Sequence, residues 1–307
     1  MTSTLKAGAD AGNNALKLWV KGSQPIQIPS VYSLYMGETT ALMEMEDIPA
    51  NKLVENIDVT INSKALTHNG QRYIVGEKVL EDQLHGVEFE KKSEKSTDEI
   101  PVIVTLAGLA IDAIKKQYDQ DNIEVTYDLS VALPVSSINQ QKAKAHAERF
   151  IGTHEVEFHH PSGRDVKVKI KIEYCKCLPE GAAGAWGVVY DEEGKTTERK
   201  IELGDQTMKV NFKDKTLLHF DIGAGTTELV VTEGVAFNPR LSEGLTYGVK
   251  DTIEGIIKIW NRENPRKSID SIAEFNEIYF DSEHPRHNGL RKAAKPGMLL
   301  LANRISS

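Results

Sequence analysis

One pattern of residues occurs twice in the chain, and each time it interrupts a run of strand-forming residues. Residues 10–20 read DAGNNALKLWV and residues 221–231 read DIGAGTTELVV, an offset of 221 − 10 = 211 positions. The second copy lies within LLHFDIGAGTTELVV, where apolar residues typical of buried strands stand on both sides of the glycines. Because both copies lie where one strand turns into the next, the sequence predicts two related halves, each with its own β-hairpin.

Composition limits the classes of protein to consider. The chain has 307 residues, enough for two domains, with 40% hydrophobic and 27% charged residues and a formal net charge of −8. The acidic charge argues against direct nucleic-acid binding as the main activity. No stretch has the roughly 18 apolar residues that a membrane span needs. We therefore expect a cytoplasmic protein that binds neither nucleic acid directly nor a membrane.

The order of patterns predicts an α/β protein with two domains. Domain I is expected over residues 1–145, with an insertion over about 34–97 as a small subdomain, and domain II over residues 146–307. Apolar residues at helical spacing over 101–120 predict a helix, residues 123–135 predict a strand, and residues 165–174 alternate as a strand does. The charged segment EKKSEKSTDEI, residues 90–100, predicts an exposed loop.

The two turns have the residues that a phosphate site requires. A glycine two positions after an aspartate allows the backbone to approach a ligand closely, and consecutive N–H groups in such a turn form an anion site. Thr226 and Thr227 can add hydroxyl donors, and Lys17 can add a point charge. Asp10 and Asp221 are suited to a divalent ion, which one or two carboxylates hold together with phosphate oxygens and water. The paired turns therefore predict nucleotide binding.

These residues resemble known phosphate motifs. DAGNNALK is similar to the first, and DIGAGTTE to the second, phosphate motif of the superfamily that contains actin, sugar kinases and heat-shock chaperone ATPases. CLPEGAAGAW, residues 177–186, resembles the segment with the glutamate near the attacking water in the bacterial actin-like plasmid segregation proteins, the ParM group. IPSVYS, RYIVGE and VALPV are also similar to that group. The resemblance implies an actin-like ATPase fold of two related ribonuclease H-like halves with a small α+β insertion.

The resemblance also implies roles for individual residues. Glu180 would orient or deprotonate the attacking water as the catalytic residue, Lys17 would contact the β- or γ-phosphate of ATP (or GTP), and Asp10 and Asp221 would hold Mg²⁺ and its waters. From its position alone, Glu180 would be a solvated loop acid. The residues that would cradle the phosphates are Gly12, Asn13, Gly223, Ala224, Gly225, Thr226 and Thr227.

The superfamily also has a glycine-rich adenosine turn in the last quarter of the chain, and no such turn follows Asp251 in this sequence. Two interpretations follow: domain II is incomplete at its C-terminus, or the chain departs from the family at this turn. Gly248, before a predicted helix, is the residue in GLTYGVKDTIEGI that would supply another wall of the nucleotide site.

Several functions are compatible with this fold. The leading hypothesis is an ATP-dependent, filament-forming protein that segregates plasmid DNA through self-association and a ParR-like adaptor protein bound to the DNA. A small-molecule kinase of the same superfamily, a chaperone ATPase and a non-hydrolysing scaffold are the alternatives. Two further expectations are that Cys175 and Cys177 are reduced thiols without a metal, and that His159 and His160 are solvated loop residues.

Overall fold

The computed structural model describes residues 4–37, 46–89 and 94–306. The chain divides into two compact units: unit 1 comprises Met1–Leu133 and Ser137–Glu180, and unit 2 comprises Pro134–Ser136 and Gly181–Ser307. The domain boundary expected between residues 145 and 146 falls inside helix α3 (Gln140–Phe150), which packs against a strand of unit 1.

Unit 1 contains one mixed sheet of ten strands. The strands, in chain order, are β1 (Leu5–Ala11), β2 (Ala15–Val20), β3 (Ile26–Pro29), β4 (Val31–Leu34), β5 (Ile57–Asn62), β6 (Gln71–Val75), β7 (Val87–Glu88), β8 (Asn122–Leu133), β9 (Gly152–His159) and β10 (Asp165–Pro179). Their spatial order is β3-β2-β1-β8-β10-β9-β5-β6-β4-β7. β8 pairs in parallel with β1 and with β10, and the other pairs are antiparallel.

The segment expected as a small insertion contributes to this same sheet. It contains a 3-10 helix (Ala50–Glu55), the short helix α1 (Glu77–Glu81) and the strands β5, β6 and β7. β5 pairs with β9, so these strands continue the central sheet instead of forming a second one. Residues 38–45 and 90–93 of the segment lie outside the described residues.

Helix α2 (Ile100–Lys116) packs on the sheet in the core of unit 1. All its residues from Ile100 to Ile114 are buried. A Cβ at Gly108 would lie 2.8 Å from Leu18 Cδ2, which indicates how closely the helix approaches β2. At about 1.5–3 kcal/mol for each large buried aliphatic side chain, this helix contributes strongly to the stability of unit 1.

Unit 2 combines a small sheet with a helical cluster. A four-stranded sheet contains β13 (Thr216–Ile222), β14 (Thr227–Glu233), β15 (Ala236–Phe237) and β16 (Glu243–Leu245), and β11 (Glu198–Leu203) and β12 (Gln206–Asn211) form a separate hairpin. The helices are α4 (Ala183–Val189), α5 (Val249–Glu263), α6 (Ile272–Phe280) and α7 (His287–Ser306). Apolar side chains of α5, α6 and α7 form one core. None of the helices in the described parts of the chain is both long and apolar enough to cross a bilayer.

β13 is an edge strand with an apolar face. Within the described residues it pairs with β14 alone. Leu218, Phe220 and Ile222 alternate along the strand, so they share one face, and they are 55%, 56% and 46% exposed. The strand therefore has both an unpaired backbone edge and a solvent-facing apolar surface.

Candidate nucleotide site

The first of the two repeated segments forms a β-hairpin in unit 1. β1 and β2 are antiparallel, with Asp10 opposite Lys17, and the Gly12 N–H donates to the Ala15 carbonyl at 3.1 Å. Ser30 supports this turn, because its hydroxyl donates to the Gly12 carbonyl at 2.7 Å and its N–H donates to the Asn14 carbonyl at 3.0 Å. The structure thus brings together Asp10, Gly12, Asn13 and Lys17, and the last two are exposed.

The second segment forms an equivalent hairpin in unit 2. β13 and β14 are antiparallel with Asp221 opposite Glu228, and the Gly223 N–H donates to the Thr226 carbonyl at 2.9 Å. The strand pair 10–17 of the first hairpin corresponds to the pair 221–228 of the second, with an offset of 211 residues. The hydrogen bonds that close the two turns, from residue 12 to 15 and from residue 223 to 226, have the same offset. The sequence repeat is therefore confirmed as two hairpins with the same register and the same turn.

The start of helix α5 holds the second turn in place. The N–H groups of Val249 and Lys250 donate to the carbonyls of Gly223 and Ala224 at 3.1 and 2.9 Å. A Cβ at Gly248 would lie 2.3 Å from the Gly223 oxygen and 2.5 Å from the Ala224 oxygen. Gly248 therefore lies directly against the turn that contains Gly223, Ala224 and Gly225, and no larger residue fits there without a backbone shift.

Thr227 supports the same region from the strand side. It is fully buried, and its hydroxyl donates to the Tyr247 carbonyl at 3.0 Å. The Thr227 hydroxyl proton, expected to bind a phosphate, is therefore donated to the backbone. Thr226, in contrast, is only partly buried. The two threonines of the motif thus differ: Thr227 fixes the segment before α5, and Thr226 lies in the turn itself.

Glu228 anchors the short segment Pro134–Ser136, which belongs to unit 2. Its side chain is 1% exposed, and its Oε2 accepts from the Val135 N–H at 3.0 Å. Gly244 lies beside the same groups, since a Cβ there would be 2.5 Å from the Ser136 nitrogen. The position equivalent to Lys17 is therefore structural in unit 2, whereas Lys17 itself is exposed.

Glu180 lies at the end of unit 1, after β10. It is 8% exposed, and its N–H donates to the Leu133 carbonyl at 2.8 Å. The next residue, Gly181, has φ +77°, and a Cβ there would lie 3.0 Å from Val230 Cγ2 and 3.4 Å from Asp221 Cβ. Glu180 is thus a buried, anchored acid, and the solvated loop position that its sequence context alone suggested is wrong.

Lys95 is the partner of Glu180. Its Nζ lies 2.7 Å from Glu180 Oε1, and the lysine side chain is 8% exposed. Lys95 and Ser96 are both buried, so the expectation that residues 90–100 form an exposed loop is wrong for these two. The sequence gives no signal for the burial of Lys95, because a lysine in a run of charges is typical of a solvated segment.

The two cysteines are free thiols near this acid. Burial, and next the charge of Cys177, raise the pKa of Cys175 to about 12. Burial, and next the charge of Glu180, raise the pKa of Cys177 to about 12. Both thiols therefore stay protonated at neutral pH.

One acid in each hairpin is of a type that binds Mg²⁺. Each hairpin supplies one carboxylate, Asp10 or Asp221, and carboxylate oxygen is a ligand that Mg²⁺ prefers. No group of three or more His, Cys, Asp or Glu side chains suited to a metal occurs within the described residues. An ion with one or two protein ligands, and otherwise water and phosphate oxygens, is compatible with that donor set.

A family comparison decides the classification. Residues 8–182, more than half of the chain, match the model of the N-terminal domain of actin-like proteins. The chain belongs to the actin-like proteins. No curated protein matches the sequence.

Solved structures agree with this fold. The match to the actin-like protein Alp7A spans 91% of this chain and 69% of the Alp7A chain, with 20% identity and a TM-score of 0.69. The match to Bacillus thuringiensis ParM with ATP spans 89% of this chain and 69% of that ParM chain, with 20% identity and a TM-score of 0.66. The match to the archaeal actin homologue Ta0583 spans 98% of this chain and 80% of the Ta0583 chain, with 15% identity and a TM-score of 0.62. The expected actin-like α/β fold is confirmed.

Proposed function

We propose that this chain is a nucleotide-dependent, filament-forming ATPase that segregates plasmid DNA. The observation that carries the proposal is the pair of equivalent hairpins, each with an aspartate and a glycine turn at the same register. The likeness to *Bacillus thuringiensis* ParM, solved with ATP, supports ATP as the nucleotide, and GTP is the other candidate. The N–H groups of both turns and the Lys17 ammonium would contact the phosphates.

Asp10 and Asp221 would hold Mg²⁺, which supplies positive charge against the phosphate oxygens when it is bound. Their carboxylates can act directly or through water, as is common for this ion. The fixed turns would position the nucleotide, and Gly248 and Thr227 would keep the second turn in shape.

Glu180 would act on the attacking water. The water oxygen forms a bond to the γ-phosphorus while the bond from that phosphorus to the oxygen bridging to the β-phosphate breaks. The proton of the water passes to the Glu180 carboxylate, and the bridging oxygen leaves with its electron pair on ADP. Burial of Glu180 beside a lysine supports this role, since a fixed carboxylate is better suited to orient water than a solvated one.

Filament formation and an adaptor complete the proposal. The resemblance to the ParM group supports self-association, and the acidic net charge of −8 supports contact with DNA through a ParR-like adaptor protein rather than directly. A cytoplasmic location is proposed on the same grounds.

Glu180→Gln tests the catalytic assignment. We expect phosphate release to slow by about two to four orders of magnitude, because the amide cannot take the proton of the water. Binding of Mg-ATP and nucleotide-triggered light scattering should persist, since Glu180 is not assigned to the bound phosphates. Phosphate release, nucleotide titration and scattering are measured on the same preparation.

Glu173→Gln is the matched control, because Glu173 is an exposed acid on β10 whose carboxylate lies 2.7 Å from Lys171 Nζ. It should hydrolyse ATP at the parental rate. Parental hydrolysis by the Glu180 variant would remove this residue from the mechanism. Phosphorylation of a small molecule without scattering would favour the kinase alternative.

A further inference from the structure

The ion pair between Lys95 and Glu180 is almost completely buried. The two side chains are 8% and 9% exposed, and Nζ lies 2.7 Å from Oε1. Removing one partner of a buried ion pair is costly, because it leaves the other charge without this contact. The Lys95 ammonium also lies 5.8 Å from the centre of the Phe89 ring, which adds a second favourable contact.

Helix α3 contacts the chain on both sides of Lys95, through two backbone carbonyls on one side and a side chain on the other. The Arg149 guanidinium donates to the Ser96 carbonyl at 3.0 Å and to the Asp98 carbonyl at 2.7 Å. Lys142 Nζ lies 2.5 Å from Glu94 Oε1 on the other side of Lys95. The segment that carries Lys95 is therefore attached to α3 by contacts that do not involve Glu180.

Glu180 has independent support as well. Its N–H bond to Leu133 fixes its backbone at the end of β10, beside the parallel strand β8. Two separately fixed backbone positions thus meet at one ion pair. This arrangement restricts the carboxylate to few orientations, which is what an acid that must orient a water molecule requires.

We propose that Lys95 is a positioning residue for Glu180: its ammonium pairs with the carboxylate and fixes it in the orientation from which it takes the proton of the attacking water. This inference rests on the proposed hydrolysis. Lys95 itself acts only through Glu180, and it is not assigned to the nucleotide.

The test is the kinetics of Lys95→Met in the full chain. Loss of the ammonium should lower kcat for Mg-ATP hydrolysis at least about tenfold, because the carboxylate loses both its charge partner and its fixed orientation. KM for Mg-ATP should stay within about twofold, since ground-state binding does not involve this pair. Lys95→Arg, which keeps a positive charge, should recover most of the rate.

Two further variants serve as a milder replacement at the buried site and as the matched surface control. Lys95→Gln keeps a polar side chain and should lose kcat as Lys95→Met does, because the charge is what matters. Lys52→Met removes a surface lysine whose Nζ lies 2.6 Å from Glu55 Oε2, and it should hydrolyse ATP at the parental rate.

A double-variant cycle separates positioning from a general structural role. In the Glu180→Gln background, Lys95→Met should cause no further loss of kcat, because the group that it positions is gone. A second readout needs no nucleotide: each single variant should lower the urea midpoint of unfolding, and the double variant should lower it by less than the sum.

The outcomes distinguish the two proposals. Hydrolysis that requires Glu180 but is unaffected by Lys95→Met and Lys95→Gln overturns the positioning role and leaves the proposed function standing. An equal loss of kcat in the parental and Glu180→Gln backgrounds, or additive urea midpoints, also overturns it. Hydrolysis that is insensitive to Glu180→Gln overturns the catalytic assignment itself.

Discussion

His146 is a buried histidine on α3, next to the segment that holds Lys95. It is 2% exposed and lies edge-on to Phe150, with ring centroids 5.4 Å apart. Burial, and next the charge of Arg149, lower the pKa of His146 to about 4 from the usual value of 6.5. The neutral imidazole is therefore the form that the folded protein contains at neutral pH.

This histidine should make stability depend on pH. Between pH 6.5 and about 4 the unfolded chain binds a proton at His146 that the folded chain does not, so the free energy of unfolding falls as the pH falls. His146→Leu should remove about 2 kcal/mol of the decrease between pH 7 and pH 5. Urea unfolding at several pH values checks this, with the exposed His68→Leu as control. An equal slope in the parental and His146→Leu chains would show that folding does not lower the pKa of His146.

Single residues show where sequence reasoning was limited. The prediction that His159 and His160 are solvated loop residues is wrong: His160 is 4% exposed against Phe158, and His159 ends β9 with its ring bonded to Thr60 and Asp165 at 2.8 and 2.7 Å. Part of the environment of each ring is distant in the chain: Thr60 lies 99 positions from His159, and the Ile48 N–H, which donates to His160 Nδ1 at 3.0 Å, lies 112 positions from His160. Local composition does not contain that information, and the same applies to the burial of Lys95.

At the scale of elements, the start of α5 is joined to the turn between β13 and β14. The first N–H groups of a helix have no partner within the helix, and here two of them are used by the carbonyls of Gly223 and Ala224. Helix and turn are therefore one structural element, in which Gly248 occupies the point of closest approach.

Gly248→Ala should disturb this element. The added Cβ would meet two backbone oxygens at 2.3 and 2.5 Å, so the turn or the helix must move. We expect a loss of about 1–3 kcal/mol in the free energy of unfolding and weaker binding of Mg-ATP. Gly255→Ala is the control in the same helix: nothing lies within 4 Å of its Cβ, and it should stabilise the helix by about 0.5–1 kcal/mol. Unchanged nucleotide affinity in Gly248→Ala would separate this turn from the phosphate site.

The elements themselves were well predicted where a pattern is local. Helical spacing over 101–120 corresponds to α2 (Ile100–Lys116), and the two DxG segments correspond to the two hairpins. The joining of β5 to β9 was not predicted, because pairing of distant strands depends on tertiary packing that no local periodicity records. The hairpin of β11 and β12 was also missed, since its strands are short, charged and mostly exposed.

At the scale of the whole molecule, the apolar edge of β13 affects how self-association can be measured. An exposed strand edge with large apolar side chains is adhesive towards other chains, whether or not nucleotide is present. Scattering from this 307-residue chain would then contain a background that has nothing to do with a filament. Phe220→Lys should reduce nucleotide-independent association, because a charge on the face shared with Leu218 and Ile222 opposes edge-to-edge contact.

Sedimentation velocity in buffer without ATP checks this, and Leu203→Lys, at a 61% exposed position on β11, is the control with the same change of charge. Equal association of both variants and the parental chain would show that β13 is not the adhesive surface. If Phe220→Lys is monodisperse without ATP, any increase in its scattering on addition of Mg-ATP measures nucleotide-dependent polymerisation. Non-specific association through β13 then no longer contributes to the signal.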